Sequence, residues 1–156
     1  MSISTKVKVA VIDGGGRGAA LVRAYARSEH VGTILAIPGN DMMKMNSEKP
    51  VLTFPSTSAV SKKEIVAICA SNRVALVDVA QDNAIEAGLV DALRNAGIPT
   101  IGPTRAAGEI EWNKVFSREL GNLNGLPQPR YDVFHSEAKG IAHILNQPEL
   151  PIFIKA

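Results

Sequence analysis

The sequence predicts an α/β fold in which a doubly wound parallel sheet is covered by helices on both faces. Short apolar segments alternate with segments whose apolar residues recur at a helical period. Short runs of Gly, Pro, Asn and Asp separate the two kinds of segment. A glycine-rich turn follows the first apolar segment directly. Together these features indicate repeated strand-helix-strand units with short connections.

Composition and charge limit the classes of protein that the chain can represent. Its 156 residues suffice for one domain with a core, or for one domain and the start of another. The 17 basic and 15 acidic residues are scattered, so we expect no nucleic-acid partner. The single cysteine, Cys69, favours a reducing compartment. Neither a signal peptide nor a membrane-spanning stretch is recognisable, so we expect a cytoplasmic protein without a membrane partner.

The first predicted unit is strand, turn, helix and strand. Val7 to Ile12 reads as a buried strand, Gly14 to Gly18 as the turn, and Ala19 to Ser28 as a helix. Thr33 to Ile37 reads as a second strand. The turn residues Pro38-Gly39-Asn40 end it.

The middle of the chain continues the alternation after an irregular stretch. Residues 41–60 show no clear period, and we expect a loop with a short strand near Val51 to Phe54. Ser61 and Glu64 have the spacing of a capping box and predict the start of a helix. Val74 to Val79 predicts a strand, and a helix capped by Asp82 or Asn83 should follow it and run to Ala96.

The last part of the chain contains further elements and a linker. Gly97 is placed to end the preceding helix in a left-handed conformation. Thr100 and Ile101 predict a short strand, and Thr104 predicts the cap of a helix over Arg105 to Leu120. The segment GNLNGLPQPR then reads as a linker. The expected elements beyond it are a strand near Tyr131 to Phe134, a helix near Ser136 to Asn146 and a strand at PIFIKA.

The glycine turn is the strongest functional signal, and it leaves alternatives open. Gly14-x-Gly16-x-x-Ala19 fits the dinucleotide pattern, in which glycines let an anion approach the helix N-terminus. The acid expected about 20 residues later is missing, and Asp41 follows the turn too late to replace it. The glycines could instead serve tight strand-helix packing alone. Arg17 adds a cation beside the turn, so we favour phosphate binding.

Other chemistry has little support in the sequence. The three histidines are isolated from other residues at metal-ligand spacing, so we expect no metal site. No serine lies in a nucleophile elbow, and no catalytic residue can be assigned. The turns after successive strands should gather at the carboxyl edge of the sheet, where ligands bind.

With these turns in place, the chain resembles the N-terminal part of the phosphoribosylamine-glycine ligases, also called glycinamide ribonucleotide synthetases. The matching segments are GGGRGAAL, IPGN, EAGLVDALRNAGIPTIGPTRAA, EIEWNKVFSREL with GLPQPRYDVF, and PIFIKA. The resemblance implies a Rossmann-like pre-ATP-grasp domain over residues 1–120. Residues 121–156 would be a linker and the incomplete first part of an ATP-grasp domain.

The resemblance also implies two groups of contact residues. Those implied to surround a phosphosugar are Gly15, Gly16 and Arg17 at the phosphate, Pro38, Gly39 and Asn40 at the ribose, and Asp82. Asp82 belongs to Ala80-Gln81-Asp82, which replaces the family's GPE. Lys114 and Lys155 are implied to contact ATP phosphates. Their ordinary alternatives are a solvated helix lysine and a charge at a strand end.

The chain departs from the family pattern at the residues expected to contact the phosphosugar and in the parts expected to bind ATP. Gly18 and Ala19 stand where the family has Glu and His, and Asp41-Met42-Met43-Lys44 replaces small residues after PGN. The family implies ATP and Mg²⁺, but the metal ligands and the ATP lid are absent from this chain. Because phosphoryl transfer depends on positioning and metal charge, we expect the chain to be inactive alone.

Three functional hypotheses follow. The first is a truncated or split ligase that supplies the phosphosugar half of the site for joining glycine to 5-phosphoribosylamine in purine biosynthesis. The second is a non-catalytic phosphosugar-binding, nucleotide-binding or interaction module derived from that family. The third, an NAD-dependent enzyme, has the least support. Exposed apolar surface near PIFIKA and the final helix should favour self-association or a complementary ATP-grasp chain as partner.

Overall fold

The structure, a computed structural model, describes residues 6–147 and 152–154. Its chain contacts divide it into two compact units, with the boundary between Lys114 and Val115. The elements of the first unit are β1 (Val7–Asp13), α1 (Gly16–Ala26), β2 (Val31–Pro38), α2 (Asp41–Met45), β3 (Val51–Thr53), α3 (Lys62–Ser71), β4 (Leu76–Val79), α4 (Asp82–Glu86), α5 (Leu89–Asn95), β5 (Thr100–Ile101) and α6 (Arg105–Trp112). Helix α7 (Lys114–Leu123) starts at the boundary, and α8 (Glu137–Leu145) lies in the second unit. The predicted boundary at residue 120 stays a prediction.

The first unit is an α/β domain built on a parallel sheet, as predicted. Its five described strands lie in the order β3-β2-β1-β4-β5, and every pair is parallel. The chain moves from β1 outward to β2 and β3, then returns to the other side of β1 for β4 and β5. Strand β1 is therefore central, and the strand order reverses beside it.

Two cores cover the two faces of this sheet. Because successive strand residues point to opposite faces, Val9 and Val11 of β1 join one cluster, while Ala10 and Ile12 join the other. The first cluster includes residues of α1 and α2. The second includes residues of α3, α4 and α5. Helices thus cover both faces, which is why the buried residues from Val9 to Ile12 of β1 are all apolar.

Several helix boundaries differ from the sequence predictions. Residues 41–45 form α2 instead of a loop, because the Asn40 side chain accepts a hydrogen bond from Met43 N and caps the helix. The single helix predicted from Asp82 is broken into α4 and α5 at Gly88, whose φ is +77°. The helix predicted to run to Leu120 is interrupted at Asn113, whose backbone is extended.

Two further local predictions were wrong, and one was right. The capping box at Ser61 does not form, because Glu64 Oε1 instead accepts a hydrogen bond from Thr57 Oγ1 at 2.6 Å. The strand predicted near Tyr131 to Phe134 is irregular chain. Thr104 does cap α6 by accepting from Ala107 N at 3.2 Å.

The second unit exposes many apolar side chains. Helix α8 has no buried residue, and Leu145 is 78% exposed. Phe153 and Ile154 are 87% and 76% exposed. Residues 152–154 are not assigned to a strand, and the other residues of PIFIKA lie outside the described part of the chain. The expected exposed apolar surface is therefore present among these residues.

Candidate functional site

The candidate site lies at the carboxyl edge of the sheet, where three strands end together. In the strand register Asp13 is opposite Pro38, and Ile12 is opposite Val79. The turns after β1, β2 and β4 therefore meet next to the point where the strand order reverses. Ligands of open α/β sheets bind in the crevice at this position.

A cleft of about 360 Å³ occupies this crevice. Its lining residues are Asp13, Gly14, Gly15, Gly16, Arg17, Pro38 and Gln81. Four of the residues implied by the resemblance are among them, and a fifth, Asp82, reaches the cleft through Arg17. These five predicted phosphosugar contacts are thus brought together in space, whereas Gly39 and Asn40 do not line the cleft, and the roles of all seven stay predictions.

The glycine turn places the start of α1 at the cleft. Gly15 is the N-cap with extended backbone, and Gly16 begins the helix. Gly15 N donates to Asp13 Oδ1. Within the described residues, the first-turn N–H groups of Gly16, Arg17 and Gly18 have no acceptor. These groups and the positive end of the helix dipole favour an anion here.

Arg17 lies between two carboxylates. Its Nη1 is 3.1 Å from Asp82 Oδ1, and its Nε is 3.8 Å from Asp13 Oδ2. The Arg17 side chain is 60% exposed, so it can turn toward a ligand in the cleft. The Asp82 side chain is 44% exposed, whereas that of Asp13 is only 6% exposed. The guanidinium is therefore paired with one exposed and one buried acid.

The turn after β2 is tied to the glycine turn by Asn40. Its Nδ2 donates to Gly14 O at 3.0 Å, and its Oδ1 accepts from Met43 N at 3.1 Å. Both polar groups of this side chain are thus used within the protein, which makes it a positioning residue in this structure. The predicted contact of Asn40 with ribose stays a prediction.

Gly39 is required by the shape of the same turn. Its φ is +68°, in the left-handed region that favours glycine. A Cβ there would lie 2.7 Å from Ala36 O and 3.0 Å from Thr53 Cγ2. The turn therefore packs directly against β2 and β3, and it places Pro38 at the cleft.

Asp13 is the most buried charged residue of the cleft, and Gly18 makes room for it. A Cβ on Gly18 would lie 2.6 Å from Asp13 Cβ and 3.1 Å from Met43 Cε. Position 18, where the ligase family has Glu, is thus occupied by glycine in this chain, and a larger residue there would collide with Asp13.

Sequence reasoning missed Asp13 and Gln81 as cleft residues. The available signal was their position in the sequence. Asp13 directly follows the first predicted strand, and Gln81 follows the strand that ends at Val79 with only Ala80 between them. Gln81 Oε1 is buried and lacks a hydrogen-bond partner within the described residues. It is an acceptor beside the cleft that the sequence motif does not reveal.

The predicted ATP contacts do not assemble among the described residues. Lys114 is exposed, and its Nζ donates to Glu111 O at 2.8 Å. Lys155 lies outside the described residues. Residues 6–147 and 152–154 also contain no group of three or more His, Cys, Asp or Glu placed to hold a metal ion. These residues therefore do not by themselves fit ATP with Mg²⁺.

Two shifted pKa values lie outside the cleft lining. Burial, together with the hydrogen bond of Tyr25 Oη to Asp78 Oδ2 at 2.9 Å and the charge of Asp78, raises the pKa of Tyr25 to about 12. Burial raises the pKa of the Cys69 thiol to about 11. Both groups therefore stay protonated near neutral pH.

Among the helices of the described chain, none is long and apolar enough to span a membrane.

The family model described as "Phosphoribosylglycinamide synthetase, N domain" matches residues 7–111, which include the whole cleft. The chain belongs to this family. It is 32% identical over 150 residues to a phosphoribosylamine–glycine ligase from Streptococcus pneumoniae, covering 96% of this chain and 34% of that protein. A ligase of the same name from Chlorobaculum tepidum is 33% identical over 150 residues, covering 96% of this chain and 35% of that protein.

A solved structure supports the fold. The biotin carboxylase domain of Hydrogenobacter thermophilus 2-oxoglutarate carboxylase aligns with a TM-score of 0.61 at 16% identity, covering 94% of this chain and 34% of that one. At this identity the likeness concerns the fold alone. The chain spans about a third of the length of the curated relatives that it matches.

Proposed function

We propose that this chain supplies the phosphosugar half of a phosphoribosylamine–glycine ligase of de novo purine biosynthesis. The full reaction joins glycine to 5-phosphoribosylamine with ATP. The observation that carries the proposal is the cleft, in which the glycine turn and Arg17 meet the turns after β2 and β4. The helix N-terminus and Arg17 would bind the phosphate, since both favour anions.

The ATP half of the reaction is proposed from relatives. Family membership implies ATP and Mg²⁺, and the Hydrogenobacter structure contains MgADP. Since the described residues do not assemble a site for either, we propose that the chain is inactive alone. A cytoplasmic location belongs to the same proposal.

Binding of ribose 5-phosphate, measured by isothermal titration calorimetry against ribose, tests the site. We expect the phosphate ester to bind more tightly than ribose, and Arg17→Gln to remove that preference. Arg27→Gln is the matched control, because Arg27 is exposed and follows the other end of α1. Equal binding of both sugars, or an equal effect of the two variants, would refute the phosphate assignment.

A non-catalytic binding or interaction module is the second candidate. Two observations favour it: Asp13 takes the Gly15 N–H, and two acids hold Arg17. If the chain is such a module, the exposed apolar side chains of the second unit would serve self-association. If it is part of a ligase, they would bind a complementary ATP-grasp chain.

Mixing experiments separate the two candidates. Ligase activity that appears only when this chain is combined with a chain bearing the remaining ATP-grasp parts supports the ligase proposal. Light scattering that shows dimers or larger species, with no activity in any mixture, supports the module.

A further inference from the structure

The acids of the cleft outnumber its cations. Of the seven lining residues, Asp13 carries a negative charge and Arg17 a positive one. Asp82 pairs with the same guanidinium at 3.1 Å. One cation is thus shared between two carboxylates, which leaves an excess negative charge beside the glycine turn.

The side chains of Asp82 and Asp13 differ in whether they can turn away from the cleft. Asp82 is 44% exposed and can turn into solvent when a ligand draws Arg17 away. Asp13 cannot, because its Cβ packs against the Gly18 backbone, its Oδ1 accepts from Gly15 N, and its side chain is 6% exposed. Its charge therefore remains in the cleft whichever ligand binds.

We propose that Asp13 is a specificity-determining residue that weakens the binding of phosphate dianions at the glycine turn. It does so by repulsion and by taking the Gly15 N–H, which a phosphate oxygen would otherwise accept. Asp82 is the acid that a ligand displaces to free Arg17. The wild-type cleft therefore favours sugar phosphates over inorganic phosphate, because sugar hydroxyl groups can donate to the Asp13 carboxylate while the charged phosphate stays away from it, whereas the hydroxyl group of inorganic phosphate is on the dianion itself. This inference rests on the proposed function, because it concerns the same site.

Asp13→Asn tests the proposal with little change in shape. The amide oxygen of Asn can keep the hydrogen bond from Gly15 N, and its Cβ fits against Gly18 as before. At about pH 8 a phosphate ester carries two charges, since its second pKa is near 6. For an assumed separation of about 6 Å between the Asp13 carboxylate and the phosphate, Coulomb's law in bulk water predicts an effect of about tenfold on the affinity for such a dianion.

Titrations with ribose 5-phosphate and inorganic phosphate at low salt give the readout. We expect Asp13→Asn to bind both about tenfold more tightly, with the larger gain for inorganic phosphate, and Asp82→Asn to gain less. Glu48→Gln removes the same charge from an exposed site before β3, at the opposite edge of the sheet, and should leave both affinities unchanged. Adding Arg17→Gln to Asp13→Asn should weaken the binding of both ligands again, because Arg17 is the proposed phosphate contact.

The outcomes separate this inference from the proposed function. If the wild type binds ribose 5-phosphate and a folded Asp13→Asn variant binds it equally or more weakly, the inference is overturned and the proposed function stands. Thermal unfolding establishes that the variant is folded. If neither the wild type nor any variant binds ribose 5-phosphate better than ribose, both are overturned.

Discussion

Replacing Gly18 by Ala tests the close approach of α1 to Asp13. In an open helix position this change stabilises a protein by about 1 kcal/mol, because Ala has the higher helix propensity. Here the new Cβ would lie 2.6 Å from Asp13 Cβ, which cannot move without shifting β1, and 3.1 Å from Asp13 Cγ. Overpacking of this kind costs about 1–3 kcal/mol. We therefore expect a net loss of up to about 2 kcal/mol.

Gly16→Ala is the matched control, since a Cβ at Gly16 would have no atom within 4 Å apart from its chain neighbours and the backbone of its own helix. Helix propensity largely cancels between the two variants, so Gly18→Ala should be less stable than Gly16→Ala by about 1–3 kcal/mol. Urea unfolding followed by circular dichroism measures this difference. Asp13→Gly should reduce it, because the opposing Cβ is then missing. If Gly18→Ala is as stable as Gly16→Ala, the packing argument is refuted.

Three further predictions concern other contacts. Thr104→Ala should lower the free energy of unfolding by about 1 kcal/mol, whereas Thr104→Ser keeps the cap and should cost less; thermal unfolding compares them. Because the pKa of Tyr25 is raised from 10.0 to about 12, stability should fall as pH rises across this window, and more steeply than in Tyr25→Phe. Denaturant titrations between these pH values would contradict this if the two proteins lost stability equally. The Cys69 thiol should react with a thiol reagent only after unfolding, so rapid labelling of the native protein would argue against its burial.

Much of the fold could be predicted because its signals are local. Buried strands, the glycine turn and the Thr104 cap each depend on residues close together in sequence. Gly97, predicted to end a helix in a left-handed conformation, has a φ of +73°. Helix interruptions were missed at Gly88 and Asn113, since apolar periodicity continues across a single break.

The candidate site was predicted only in part. Sequence and resemblance indicated the glycine turn and Arg17, which lie at the cleft. They did not indicate that Asp13 is a buried part of its lining, or that both polar groups of Asn40 are used within the protein. Glu64 shows the same limit, because a partner seven residues away displaces its expected capping contact.

The sequence by itself determined the chain order of the five described strands and of most of the helices, and the position of a glycine turn after the first strand. Hydrophobic period and turn chemistry act over a few residues, so both can be read along the chain. Only the tertiary structure decided that β1 is central and that Arg17 lies between Asp13 and Asp82, a residue 65 positions away. Such contacts depend on which strands become neighbours and on where a missing side chain leaves room, as at Gly18. These are properties of packing in three dimensions, and local sequence patterns do not encode them.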